Sequence, residues 1–149
     1  MNQNFYRILN DNFNKYSDNI FIEEESGEKW KYNDIKKLTS QFSTFLKNLS
    51  LKKGSRIIVQ VEKNVHSVAL YLSCLKKGII YTPLNTAYTS NEMSYFINNV
   101  EPQLIFLSNN KFDEHKDMLL DFPNIKPFIL DAENTELTDE ISELKEDNN

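Results

Sequence analysis

Four short apolar runs recur along the chain: Ile57-Ile58-Val59, Ile79-Ile80-Tyr81, Leu104-Ile105-Phe106-Leu107 and Phe128-Ile129-Leu130. Their centres lie near residues 58, 80, 105 and 129, at intervals of about 22 to 25 residues. Antiparallel strands can be joined by a tight hairpin, but parallel strands need a crossover of about a dozen residues or more. Every interval here is long enough for one, and each contains a segment of helical periodicity. The runs are continuous rather than alternating, which is the pattern of strands covered on both faces. The chain therefore reads as an α/β domain, layered, with a mostly parallel sheet and crossover helices.

The segments between the runs support this. In residues 65 to 77, Val65, Val68, Ala69, Leu72 and Leu75 share one helical face, while Leu70 and Cys74 fall on the other. That helix is expected to be covered on both sides, with Gly78 as its C-cap. From Gly78 to Thr89 the chain passes through a helix end, a strand, a loop limited by Pro83, and a new helix start. Thr89 and Glu92 have the spacing of a capping box. Such strand-to-helix junctions are where ligands tend to bind in α/β proteins. Helices are expected over 90 to 99, with Met93, Phe96, Ile97 and Val100 on the buried face, and over 111 to 120. Upstream, Phe5, Ile8, Leu9, Phe13 and Tyr16 fit a helix over residues 3 to 16. Ile20 to Ile22 and Lys29 to Tyr32 flank a Ser26-Gly27 turn as a hairpin. Asn33 is expected to cap a long amphipathic helix built on Ile35, Leu38, Phe42, Phe45, Leu46 and Leu49.

A chain of 149 residues is sized for one domain with a real core. No apolar run approaches the length of a membrane span, and Met1-Asn2-Gln3-Asn4 lacks the character of a signal peptide. The single cysteine, Cys74, excludes an internal disulfide, so a reducing, cytoplasmic setting and no membrane partner are expected. The net charge of -5 is unevenly placed. Residues 131 to 149 carry eight acids and one base; the remainder carries 16 bases and 14 acids. No basic face suggests nucleic acid as a partner. Residues 1–131 are taken as the folded part. Residues 132–149 read as an acidic linker or frayed end, with at most a helical turn around Ile141 and Leu144.

Catalytic groups are sparse. His66, near a helix start, and His115, on a polar helix face, are isolated and read as structural or solvent-facing. Cys74 lies on an apolar helix and reads as a small hydrophobe rather than a nucleophile. Glu23-Glu24-Glu25, beside a strand edge, reads as a solvated charge run. No Cys/His cluster has metal-ligand spacing. The three glycines, Gly27, Gly54 and Gly78, are isolated from one another. A loop that wraps phosphates with successive backbone amides needs glycines close together. No residue is therefore assigned as catalytic, cofactor-binding or metal-binding.

Three segments carry a family resemblance. Trp30-Lys31-Tyr32-Asn33-Asp34-Ile35 resembles the first core motif of the acyl- and aryl-adenylate-forming (AMP-binding) enzymes. Leu51-Lys52-Lys53-Gly54-Ser55-Arg56-Ile57-Ile58-Val59 is similar to their helix-to-strand segment, with Ser55 in place of the usual acid. Leu75 to Asn85, Leu-Lys-Lys-Gly-Ile-Ile-Tyr-Thr-Pro-Leu-Asn, resembles their second core motif. The resemblance runs from about Phe5 to Asp131. Within the superfamily, Pro83-Leu84-Asn85-Thr86-Ala87-Tyr88-Thr89, then Glu92 and Tyr95-Phe96, looks most like the malonyl-CoA and methylmalonyl-CoA synthetases.

The resemblance implies the N-terminal part of an acid-CoA ligase. ATP and a carboxylate would give an acyl-adenylate and pyrophosphate with the help of Mg²⁺; coenzyme A would then displace AMP. Family members are several times longer. Their phosphate loop, nucleotide contacts, Mg²⁺-binding acid, mobile C-terminal domain with its catalytic lysine, and the basic residues for a dicarboxylate all lie downstream of the matched segments. The matched positions are scaffold: Gly54 for a turn, Gly78 for a helix end, Pro83 to shape a loop. The chain alone is expected to be inactive and to bind none of ATP, Mg²⁺ or coenzyme A. Its expected partners are the missing C-terminal part of the ligase, if the gene is split, and a small malonate-like acid in the complete enzyme, in fatty acid metabolism. The alternative is a non-catalytic α/β binding or interaction module derived from such a ligase.

Overall fold

The computed structural model describes residues 4–131 and 135–147. Helix α1 (Phe5–Lys15) is followed by an antiparallel hairpin of β1 (Ile20–Glu23) and β2 (Lys29–Lys31), and by the long helix α2 (Tyr32–Asn48). The alternating part then begins: β3 (Arg56–Gln60), α3 (Val65–Lys77), β4 (Ile80–Pro83), α4 (Ser90–Val100), β5 (Leu104–Leu107), α5 (Asn109–Leu119) and β6 (Lys126–Ile129). A last helix, α6, spans Glu136–Glu143.

All four expected strands form one parallel sheet in the order β4-β3-β5-β6. Side chains alternate across it. Ile57, Val59 and Phe106 enter a core with α1, α2, α3 and α6; Ile58, Ile105 and Leu107 enter a second core with Met93 and Ile97 of α4 and Phe112 of α5. Both faces are covered, as the continuous apolar runs require. The connection through α3 carries the chain from β3 outward to β4. Those through α4 and α5 run back across the opposite face to β5 and β6. The order thus reverses between β3 and β5, which makes the C-terminal ends of these two strands the topological switch point.

Prolines mark both open edges. The amides of Ile80 and Leu84 point inward to the carbonyls of Ser55 and Val59, and those of Lys126 and Leu130 to the carbonyls of Gln103 and Leu107. Pro83 and Pro127, at the intervening positions, face outward, where each withholds one donor from any further strand.

Local signals hold at most junctions. Gly78 takes the left-handed conformation, φ 68°, at the end of α3, and α3 is buried on both sides through Ala69, Leu70, Leu72 and Cys74. The Glu92 carboxylate accepts the Thr89 amide at 2.8 Å and the Thr89 hydroxyl at 2.9 Å. The start of α2 is corrected. Asn33 is not the cap: the helix begins at Tyr32 and the cap is Lys31, whose amide donates to Asp34 Oδ2 at 2.8 Å. Asn33 lies within the first turn and donates its amide to the Ser17 carbonyl.

The acidic end is also corrected. Residues 135–147 are not a linker or frayed end; residues 132–134 and 148–149 lie outside the described residues. Thr135 caps α6, and Leu137 and Ile141 are buried in the main core. Beyond α6 the backbone is tied down by α2: Gln41 Nε2 donates to the carbonyls of Ser142 (2.8 Å) and Leu144 (3.1 Å), and Thr44 Oγ1 to that of Lys145 (2.7 Å). Lys77 on α3 pairs with Asp147. Glu136, Asp139, Glu140, Glu143 and Glu146 face outward, Asp147 is buried, and Leu137, Ile141 and Leu144 face in, a pattern too short for charge composition to reveal.

Candidate functional site

The C-terminal edge of the sheet is where this topology would place a ligand. It is formed by the ends of β3 (Gln60 to Glu62), β4 (Pro83 to Tyr88), β5 (Leu107 to Asn110) and β6 (Leu130, Asp131), with the first turns of α3, α4 and α5. The Gly78–Thr89 stretch contributes its second half here, on the outer strand β4 rather than at the switch point.

A buried polar network connects that loop to the switch point. Gln60, fully buried at the end of β3, donates both amide hydrogens from Nε2: to the Asn85 carbonyl at 2.9 Å and the Tyr88 carbonyl at 3.0 Å. Its Oε1 lies 2.7 Å from His115 Nε2. Since Oε1 only accepts, Nε2 carries the imidazole hydrogen. His115 Nδ1 lies 2.8 Å from Ser90 Oγ, and that hydroxyl lies 3.1 Å from the Glu114 carbonyl. His115 is thus structural, but not on a polar face: it is 0% exposed. Burial lowers its pKa, with Glu114 opposing and Lys111 adding to the effect. The clue in the sequence was Gln60, a polar residue directly following the apolar run Ile57-Ile58-Val59.

His66 is half-buried in the first turn of α3, its ring edge-on to Trp30 with centroids 6.3 Å apart. Burial lowers its pKa and the nearby Glu24 partly offsets this. Glu24 is therefore more than a member of a solvated run, whereas Glu23 and Glu25 are exposed. His66 and His115 belong to different elements and do not meet. Cys74 is 0% exposed and burial pushes its thiol up to about 12, so it stays protonated at neutral pH.

The edge can be tested against the groups an adenylating enzyme would need. Anions favour free amides at helix N-termini. Here the Ser67 amide of α3 donates to Asn64 Oδ1 at 2.8 Å, the Thr89 amide before α4 to Glu92, and the Asn109 amide of α5 to Asp131 Oδ2 at 3.0 Å. Two of the three are thus taken by carboxylates, which repel phosphate. A groove of about 940 Å³ opens beside the switch point, floored by Phe112, Phe128 and Leu137. Glu62, Asp131, Glu136 and Glu140 rim it, against a single base, Lys126. The residues present do not fit the phosphates of ATP. Among the described residues, no three His, Cys, Asp or Glu side chains gather as a metal-ligand set. Among them, too, no helix is long and apolar enough to cross a membrane.

Comparison with known proteins places this architecture. The family profile described as AMP-binding enzyme matches residues 9–149. An uncharacterized acyl-CoA ligase of Bacillus subtilis, YtcI, is 32% identical over 84 residues, 55% of this chain and 16% of its own length. Acetyl-coenzyme A synthetase of Helicobacter pylori is 30% identical over 120 residues, 76% of this chain and 17% of its own. The crystal structure of ATP-bound MatB from Rhodopseudomonas palustris superposes with a TM-score of 0.85 at 29% identity, covering 97% of this chain and 28% of MatB. The chain thus spans less than a third of the length of these relatives. Its sheet and helices match the N-terminal domain of adenylate-forming enzymes.

Proposed function

The chain belongs to the AMP-binding enzyme family, and from that premise we propose that it is the N-terminal part of an ATP-dependent, AMP-forming acid-CoA ligase. The observation that carries the reading is the superposition of nearly the whole chain on a MatB that is itself ATP-bound. The similarity to an acyl-CoA ligase and to acetyl-CoA synthetases supports acid activation as the chemistry. Malonate or methylmalonate is the proposed acid. This rests on the wording of Pro83 to Thr89 with Glu92 and Tyr95-Phe96, and on no acid-binding group in the chain. ATP, Mg²⁺ and coenzyme A are the proposed cofactors of the complete enzyme. Because the helix N-termini here are capped and the adjoining groove is acidic, the phosphate and Mg²⁺ contacts are assigned to a further part of the ligase. The cytoplasm is the proposed setting.

A second reading, a self-contained binding module, is favoured by one observation: residues 135–147 close over α2 and α3 instead of leaving them bare. The DNA beyond the codon for Asn149 separates the two. A Ser/Thr/Gly-rich stretch ending in lysine within about a few dozen codons, the composition a phosphate cradle requires, supports the ligase. Unrelated sequence in every frame favours the module. For the acid, the completed enzyme should prefer malonate to acetate in kcat/KM; the reverse preference would overturn the malonate assignment alone.

A further inference from the structure

The loop from Asn85 to Tyr88 lies between a proline and a helix cap. Asn85 and Ala87 are exposed, and the local bonds Ala87 N to Asn85 Oδ1 (2.8 Å) and Tyr88 N to the Asn85 carbonyl (3.1 Å) only shape its own turn. What ties it to the sheet is the Gln60 side chain, which holds two of its carbonyls. We propose that Gln60 and His115 are a positioning pair for this loop: His115 fixes the orientation of the Gln60 amide, and the amide fixes where the loop stands at the edge of the site.

The geometry leaves one arrangement. Turning the Gln60 amide over would set its oxygen against the Asn85 and Tyr88 carbonyls, and its NH₂ against the His115 N–H. Moving the imidazole hydrogen to Nδ1 would leave the Nε2 lone pair facing Gln60 Oε1. Each alternative replaces buried hydrogen bonds with like-to-like contacts, which is costly where no water reaches. The two carbonyls select the NH₂ end of the glutamine, and the buried imidazole completes the arrangement by satisfying the oxygen end with a directed N–H.

Protonation would change the other end of the network. Nε2–H stays on Gln60, the new Nδ1–H donates to Ser90 Oγ, and the Ser90 hydroxyl hydrogen turns to the Glu114 carbonyl, 3.1 Å away. The groups facing His115 are Gln60 from β3, Ser90 from α4, and, on its own helix, Glu114 and Lys111, themselves paired at 2.6 Å. Of these only the Glu114–Lys111 pair is charged, and Lys111, largely buried, also reaches the loop with its Nζ 3.5 Å from the Tyr88 carbonyl; the Gln60–His115 clamp itself is set by hydrogen bonding and is expected to hold across the pH range in which the chain is folded.

The test is NMR on the chain without ligand. Imidazole nitrogen shifts should show His115 as the Nε2–H tautomer at pH 7.5. Gln60→Ala and His115→Phe should each speed hydrogen exchange of the Ala87, Tyr88 and Thr89 amides by about five- to tenfold, the scale of one lost buried hydrogen bond. Amides of β5 should be unchanged, and the double variant should do little more than either single one. An Nδ1–H tautomer, unchanged loop exchange, or additive effects would overturn the pair. The tautomer is read in the wild-type chain, so it decides even where a variant fails to fold. The consequence of the pair for adenylation rests on the ligase reading; the ligand-free test fails or succeeds independently of it.

Discussion

Gly78 is the position where a single atom would matter most. Its φ is 68°, and a Cβ there would sit 3.0 Å from Lys53 Cγ. The left-handed conformation costs a residue with a side chain about 1–2 kcal/mol, while the lysine side chain can move aside. Gly78→Ala is therefore expected to lower stability by about 1–2 kcal/mol, measured by urea unfolding. Gly27, also at positive φ but with nothing within 4 Å, should show the conformational cost alone. The two histidines govern the response to mild acid. Burial holds both below the ordinary value of 6.5. As pH falls, the unfolded chain takes up these protons before the folded one does, so stability is lost progressively below about pH 6.5 and is flat above it. Unfolding curves from pH 7.5 to 5 should show this decline, and His115→Gln should shallow it. A decline that leaves His115→Gln unaffected would mean that carboxylates carry the effect. The locations of Gly78 and of the Thr89–Glu92 cap were legible in the sequence because each acts within one turn of its own helix. The environment of His115 was not, because its partners are 55 and 25 residues away.

At the level of elements, the crossover pattern specified β3 to β6 and the helices between them. Each strand carries its signal in its own run of apolar residues. What was not legible was what lies over α2. Its apolar stripe marks one face, yet Thr39, Ser40, Gln41 and Ser43 on the other positions are buried as well. They are small or amide side chains with no charge among them, the one hint that the outer face is also covered. The cover is α6 and the residues after it, whose composition resembles that of a solvated tail. Ile141 tests this. It is 0% exposed, and Ile141→Ala should cost about 2–5 kcal/mol, the range for truncating a buried aliphatic side chain. A loosely attached tail would show a change near zero. Gln41→Ala should loosen the same segment, seen as faster amide exchange at Lys145 to Asp147 with little change in β3.

For the whole molecule, the two cores share β3 and β5, so neither face should unfold without the other. The outward prolines on β4 and β6 each remove one donor from an open edge, which disfavours pairing with further strands. The family and fold were legible because the matched motifs are scaffold: a turn glycine, a helix-ending glycine, a loop proline. The limits of the site follow from the same fact, since those residues shape the edge of the sheet, and at the start of each of α3, α4 and α5 one amide is already bonded to a side chain of this chain. The proposal that this chain supplies the framework of an acid-CoA ligase, and a further part its grip on ATP, can be checked by malonate-dependent ATP–pyrophosphate exchange, measured on the chain alone and after co-expression with the remaining part of the ligase. No exchange above background is expected from residues 1–149, and restored exchange with the complement. Exchange catalysed by the chain alone would overturn the proposal.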